Sequence, residues 1–203
     1  MFKRKLYLRN VVKTVACLAI TSMLFLACSK DDMDSISDDI HDIIPEAISE
    51  VFREFMPVYS GTTPPDISGE YLCTPYIRKI SSILAEKPDY VGDDLYFAFE
   101  KAKNGKYSYS EKRKNSLDGS DGASVTVVGE GNWFTAYYTT SGLFGGFQNK
   151  RATIISGELT PEGISDFHFA YIMFNKTPIV PANTFSVHID GDGLAERNNW
   201  TSK

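Results

Sequence analysis

The side chains able to do chemistry are few and scattered. His41, His168 and His188 stand far apart, without the paired spacing of a metal-binding helix. Only His168 and His188, in the last two expected strands, are candidates to be neighbours. Asp190-Gly191-Asp192-Gly193 opens like a calcium loop, but Leu194 stands at the fifth place, where an oxygen ligand is needed, so a turn is expected there. No phosphate loop, H-E-x-x-H helix or G-x-S-x-G elbow occurs, and Gly129-x-Gly131 lacks the third glycine of a dinucleotide loop. Cys73, alone in the strand-like run Glu70-Tyr-Leu-Cys-Thr, reads as a buried small hydrophobe rather than a nucleophile. No metal or cofactor is expected, and no catalytic motif is visible; a hydrolase built on a pair among the 26 acids is the alternative to a non-enzymatic protein. What remains is aromatic: Tyr107, Tyr109, Trp133, Tyr137 and Tyr138 fall on adjacent hairpins. They suit either barrel lining and cross-strand packing or the flat walls of a ligand site. Leu143, Phe144 and Phe147 flank Gly145-Gly146 and make a candidate lid or contact loop.

Cys28 is different, because its neighbours give it a role. Lys3, Arg4, Lys5 and Arg9 open the chain without an acid, and residues 14–27 are uncharged and largely apolar. That run is short for a bilayer-spanning helix, which needs about 20 residues. A basic start, a short apolar middle and a small residue before the break give the layout of an export signal over 1–27; the alternative is an uncut signal anchor. The boundary Phe25-Leu26-Ala27-Cys28 resembles a bacterial lipobox, with Phe25 where leucine is usual. The resemblance implies that the Cys28 sulfur carries a diacylglycerol, for which a thiolate is required. Ser29-Lys30-Asp31-Asp32 resembles the lysine-plus-acids export tag of Bacteroides-type lipoproteins, which implies an outer-membrane address, surface-exposed or periplasm-facing.

The elements that must position these groups follow from periodicity. All 26 acids lie beyond the signal, so the exported part is strongly acidic, which argues against nucleic acid as a partner. An acidic tether spans 28–34. In 35–57 apolar residues recur at steps of three and four, from Ile36 to Phe55, predicting an amphipathic helical segment divided at Pro45. It could pack on the following domain, plug a barrel end or bind a partner. Past Thr62-Thr63-Pro64-Pro65 the period becomes two. Asn104-Gly105 between alternating aromatic runs is a hairpin signal, and Gly129 to Gly131 and Pro161 to Gly163 repeat it. Strands are expected at 67–73, 94–102, 106–114, 123–129, 133–140, 151–159, 164–174 and 184–190, with an ambiguous stretch at 76–84. Eight or nine antiparallel strands in a meander predict a mainly β, up-and-down barrel over 64–198, with an open sandwich as the alternative.

Gly69-Glu70-Tyr71, the run 129–135, Ile155 to Ile164 and Asp190 to Gly193 together resemble small Bacteroides-type surface lipoproteins with a lipocalin-like (calycin) barrel. Such lipoproteins have no described function, and the resemblance implies an envelope protein held to the membrane through Cys28. A non-enzymatic barrel that binds a small apolar or sugar-like molecule is the functional expectation, with a protein-partner-binding envelope component as the alternative. The first-strand Gly-x-Trp of true lipocalins is here Gly69-Glu70-Tyr71.

Overall fold

The computed structural model describes Ile44, residues 46–83 and residues 85–199. The signal, Cys28, the acidic tether and the first part of the helical segment lie outside the described residues.

Three tight turns set the meander. Leu95–Lys101 (β5) returns as Tyr107–Arg113 (β6) through Asn104-Gly105, where Gly105 takes φ 81°. Gly119–Glu130 (β7) and Trp133–Phe144 (β8) meet at Gly131, and β8 returns as Phe147–Leu159 (β9) through Gly145-Gly146. Both of those glycines have positive φ, the geometry that a two-residue hairpin matched to strand twist requires. Gly163–Met173 (β10) follows. Strands β7, β8 and β9 are thus longer than the alternation at 123–129, 133–140 and 151–159 suggested. Leu143, Phe144 and Phe147 stand on strand ends beside a two-residue turn rather than on a loop.

Closure uses two bent strands. Gly69–Cys73 (β2) and Tyr76–Ser81 (β3) run one after the other, as do Phe185–Asp190 (β11) and Leu194–Arg197 (β12). β12 pairs with β10 on one side and β2 on the other, and β2 pairs with β5. The ring β2-β5-β6-β7-β8-β9-β10-β12 is a closed eight-stranded antiparallel barrel. The open-sandwich alternative fails at β12, a strand beyond the expected end of the sheet. Above β12 the wall continues as β11 paired with β3, and β3 carries Val91–Gly92 (β4) on its other edge. Asp190 ties the two bends: its carboxylate accepts the Thr74 N–H at 2.9 Å and the Asp192 N–H at 3.0 Å. Thr62–Thr63 (β1) adds a short parallel pair to β7.

Alternation sorts side chains inward and outward. Tyr71, Phe97, Phe99, Tyr109, Phe134, Tyr138, Phe167 and Phe169 fill the interior. A bulge at Asp166, with φ 49°, lets both Ile164 and Phe167 point in. The outward set Tyr137, Ala152, Ile154, Ala170, Ile172 and Val187 is covered by Ile44, Phe52 and Met56. Phe52 and Met56 belong to or follow the helix Glu46–Phe55 (α1). The helix therefore wraps the barrel from outside and plugs neither end. A fully buried Phe52 contributes about 2–3 kcal/mol by area removed from water.

Candidate functional site

The two ends of the barrel differ. At the base lie the turns 102–106, 131–132 and 160–162; at the mouth lie the turn 114–118, the Gly145-Gly146 hairpin and the segment 174–184. A cavity of about 250 Å³ opens at the mouth, walled by Tyr76, Arg78, Tyr90, Arg113, Tyr171 and His188, with Phe144 beside them. The parity of β6 builds its floor. Tyr107, Tyr109, Glu111 and Arg113 succeed one another at every second residue, so the row that begins with rings ends with charge. Glu111 is buried and forms an ion pair with the equally buried Arg151. Tyr109 donates its hydroxyl to Glu111 at 2.6 Å and Ser120 does so at 2.9 Å. Arg151 Nε donates to the Thr140 hydroxyl at 3.2 Å. Burial pushes the Glu111 carboxyl up, but Arg151, Arg113 and these hydrogen bonds outweigh it and hold its pKa below the ordinary value.

Arg113 is the exception in this network. Its guanidinium lies 3.8 Å above the Tyr76 ring and donates to the Asp93 carbonyl at 3.3 Å. It forms no ion pair with a carboxylate among the described residues. Arg78 reaches Glu86 at 3.5 Å. His188 is stacked between Tyr76, 4.4 Å away, and Tyr171, 5.8 Å away. Burial, and then Arg113, Arg78 and Arg151, lower its pKa far below the usual imidazole value, so it is neutral. Three buried polar atoms in this wall have no hydrogen-bond partner among the described residues: the Tyr76 hydroxyl, Arg78 Nε and His188 Nδ1. Unpaired buried polar groups cost about 1–3 kcal/mol each, and three of the six among the described residues lie in this wall, the others being the Tyr138 hydroxyl, Asn149 Oδ1 and Ser156 Oγ.

The aromatic residues singled out from sequence separate. Tyr109 and Tyr138 face each other inside the barrel, ring centroids 4.4 Å apart, with Phe99 edge-on to Tyr138. These rings fill that part of the interior themselves. Tyr107 sits at the base, where its hydroxyl donates to Asp66 at 2.8 Å; Lys101 pairs with the same carboxylate at 2.9 Å. Lys101 above all holds Asp66 well below the usual carboxylate range. Tyr137 lies on the outer face beneath α1, and burial pushes its pKa up to about 12. Trp133 is half-exposed on the outside of the base, its ring 4.9 Å from that of Tyr59. Of the 143–147 group, Phe144 turns inward to Tyr171, with centroids 6.1 Å apart, and lines the cavity; Phe147 is exposed. The Gly145 and Gly146 N–H groups donate to Asp118 at 2.9 and 3.1 Å, which fixes the hairpin tip.

Sequence reading passed over Tyr76, Arg78, Glu111, Arg113, Arg151 and His188 as a set. One signal was available: Glu111 and Arg113 continue the inward parity of Tyr107 and Tyr109, and charge on a core-facing row is costly unless it serves something. No protein-family model matches the chain, and neither does any curated protein or solved structure.

Proposed function

We propose that the chain is a lipid-anchored cell-envelope protein, held to the outer membrane through Cys28, whose barrel binds a small ligand without transforming it. The ligand is a ring-shaped molecule, aromatic or sugar-like, that carries one negative charge. One observation carries this reading. Arg113, without a carboxylate partner among the described residues, stands in an aromatic-walled cavity beside the unpartnered polar atoms of Tyr76, Arg78 and His188. A guanidinium forks onto a carboxylate, and flat rings pack against a flat ligand. Arg78 and Arg113 line this cavity together with Asp93 and Asp118; Arg78 is paired with Glu86, which leaves Arg113 as the cation to meet an acid. Binding rather than catalysis is supported by the serine beside His188: Ser186 donates its hydroxyl to the Ile80 carbonyl at 2.8 Å and is not poised as a nucleophile.

The test is calorimetric titration of the mature chain with 2-naphthoate and glucuronate, each against its uncharged counterpart, 2-naphthamide and glucose. Loss of one charge-assisted contact of about 1.5–3 kcal/mol should weaken the neutral partner by about 10- to 100-fold, and Arg113→Gln should do the same to the acid. Equal affinity for acid and neutral partner, or binding that ignores Arg113→Gln, would count against the reading.

A further inference from the structure

The neighbours of His188 fix its tautomer. The Ser186 hydroxyl has one proton and gives it to the Ile80 carbonyl at 2.8 Å. The same oxygen lies 3.4 Å from His188 Nε2, and with its proton committed elsewhere it can only accept there. Nε2 therefore carries the hydrogen of the imidazole. The ring is kept neutral by burial and by the arginines around it, so Nδ1 is a bare lone pair. That atom is buried, belongs to a residue lining the mouth cavity, and meets no donor among the described residues. A ligand O–H or N–H that reached it would relieve the cost of leaving it unpaired.

The place of this lone pair relative to Arg113 is set by Tyr76. The Arg113 guanidinium lies 3.8 Å from the centre of the Tyr76 ring, and the His188 ring lies 4.4 Å from it at an interplanar angle of 17°. Two groups so close to one ring centre would overlap on a single face, so Arg113 occupies one face and His188 the other. Tyr171 continues the stack beyond His188, at 15°. The straight line from Arg113 to His188 is thus filled by Tyr76, and a ligand touching both must run past the edge of that ring. An acid and a donor on adjacent ring carbons are too close together to do so. An acid at one end of a two-ring molecule and a donor at the other are not.

Two carboxylates also line the cavity, those of Asp93 and Asp118. Asp118 already accepts the Gly145 and Gly146 N–H groups, and Asp93 is exposed to water. A ligand donor offered to either gains little, because it replaces a partner that is already present.

We infer that the bound acid carries a hydroxyl or N–H group at the end remote from its carboxylate, and that His188 selects for it by accepting that hydrogen at Nδ1. This rests on the reading of the mouth cavity as a site for a ring-shaped acid held by Arg113. Arg113 then sets the affinity for acids, and His188 chooses among them. The simplest member of the class is a hydroxylated two-ring acid.

The test is calorimetry on the mature chain with 2-naphthoate, 6-hydroxy-2-naphthoate and 3-hydroxy-2-naphthoate. Each is titrated into the wild type and into His188→Phe, which keeps a flat ring in the stack and has no acceptor. In the wild type the 6-hydroxy acid should bind about 3- to 10-fold tighter than 2-naphthoate, the value of one neutral hydrogen bond. The 3-hydroxy isomer should bind no tighter than 2-naphthoate. In His188→Phe the 6-hydroxy advantage should vanish while 2-naphthoate still binds. No advantage for the 6-hydroxy acid, an equal one for the 3-hydroxy acid, or one that survives His188→Phe overturns the selection by His188. The Arg113 reading survives each of these results as long as 2-naphthoate binds and Arg113→Gln weakens it. If 2-naphthoate does not bind at all, both fall together. Should His188→Phe fail to fold, nitrogen NMR of histidine-labelled wild type decides. It should show His188 protonated at Nε2 and bare at Nδ1, with Nδ1 shifting on addition of the 6-hydroxy acid and not of 2-naphthoate. A hydrogen on Nδ1, or the same shift with both acids, overturns the inference.

Discussion

The base and the mouth of this barrel use the same alternation of side chains for opposite ends. At the base and middle, Tyr71 stacks on Phe97 at 5.2 Å, Phe97 on Phe167 at 5.1 Å, and Phe99 tilts against Tyr109 at 5.3 Å. Every ring meets another ring, and the end is sealed by the Tyr107–Asp66–Lys101 contacts. At the mouth the same inward rows deliver Glu111, Arg113 and Arg151, a buried ion pair with one cation in excess. Stacked rings supply stability. A buried charge cluster costs desolvation that apolar residues of the same size would avoid. Where a fold carries such a cost next to an open cavity, the cost points to a ligand.

That contrast can be broken or sharpened by substitution. The largest effect is expected at the base-side core: Phe97→Ala leaves a cavity among rings and should cost about 3–5 kcal/mol in a urea or guanidinium melt. Comparable or slightly smaller is Glu111→Ala, which strands Arg151 and leaves Tyr109 and Ser120 without their acceptor; about 3–5 kcal/mol is expected. Arg113→Gln breaks no salt bridge but removes the cation over the Tyr76 ring and one of the charges that keep Glu111 ionised, so it should cost about 1–2 kcal/mol, less than Glu111→Ala, while weakening binding of the acid about 10- to 100-fold. A large loss of stability there would make Arg113 part of the core rather than of a site.

Smaller again is a pH effect at the joint between the two ends. Burial raises the Asp190 carboxyl to about 6 from an ordinary value of 3.8. A raised folded-state pKa means that this group favours the fold below pH 3.8 and loses that contribution as the pH climbs through 6. Asp190→Asn abolishes the titration. The stability of that variant relative to the parent should therefore rise between about pH 4 and pH 7, by roughly 1 kcal/mol after allowance for nearby solvent. The hydrogen bond lost to asparagine is a constant offset, so the slope of the difference against pH is the quantity to measure. The smallest effect is expected at Leu117→Asp: its exposure keeps the change in melting within about 0.5 kcal/mol. A greater loss would show Leu117 to be packed against the mouth.

Much of the barrel was legible because hairpin turns and period-two alternation are local. Asn104-Gly105 and the glycines at 129, 131 and 163 announce turns through backbone freedom alone. The α1 stripe was legible for the same reason, since steps of three and four define a face without any knowledge of what covers it. Two things escaped. β12 has only four residues after a glycine-rich bend, too short for a pattern, and its pairing with β2 joins segments over a hundred residues apart. The site escaped because its members come from β3, β6, β9, β10 and β11, and each alone looks like an ordinary strand residue. Tyr137 and Tyr138 make the point most sharply. They are adjacent in sequence, yet one lies under the helix and the other in the core, because neighbouring strand residues point to opposite faces.

By itself, then, the amino-acid order determined the strand meander, the outer helix and the cysteine set between an apolar run and acids, all written in spacings of a few residues. Tertiary structure alone decided which face of each strand became interior, where the ring closed, and that Arg113 would stand over Tyr76 beside His188. Those outcomes depend on the barrel's closure, which brings distant rows into register and leaves one end filled with rings and the other with charge.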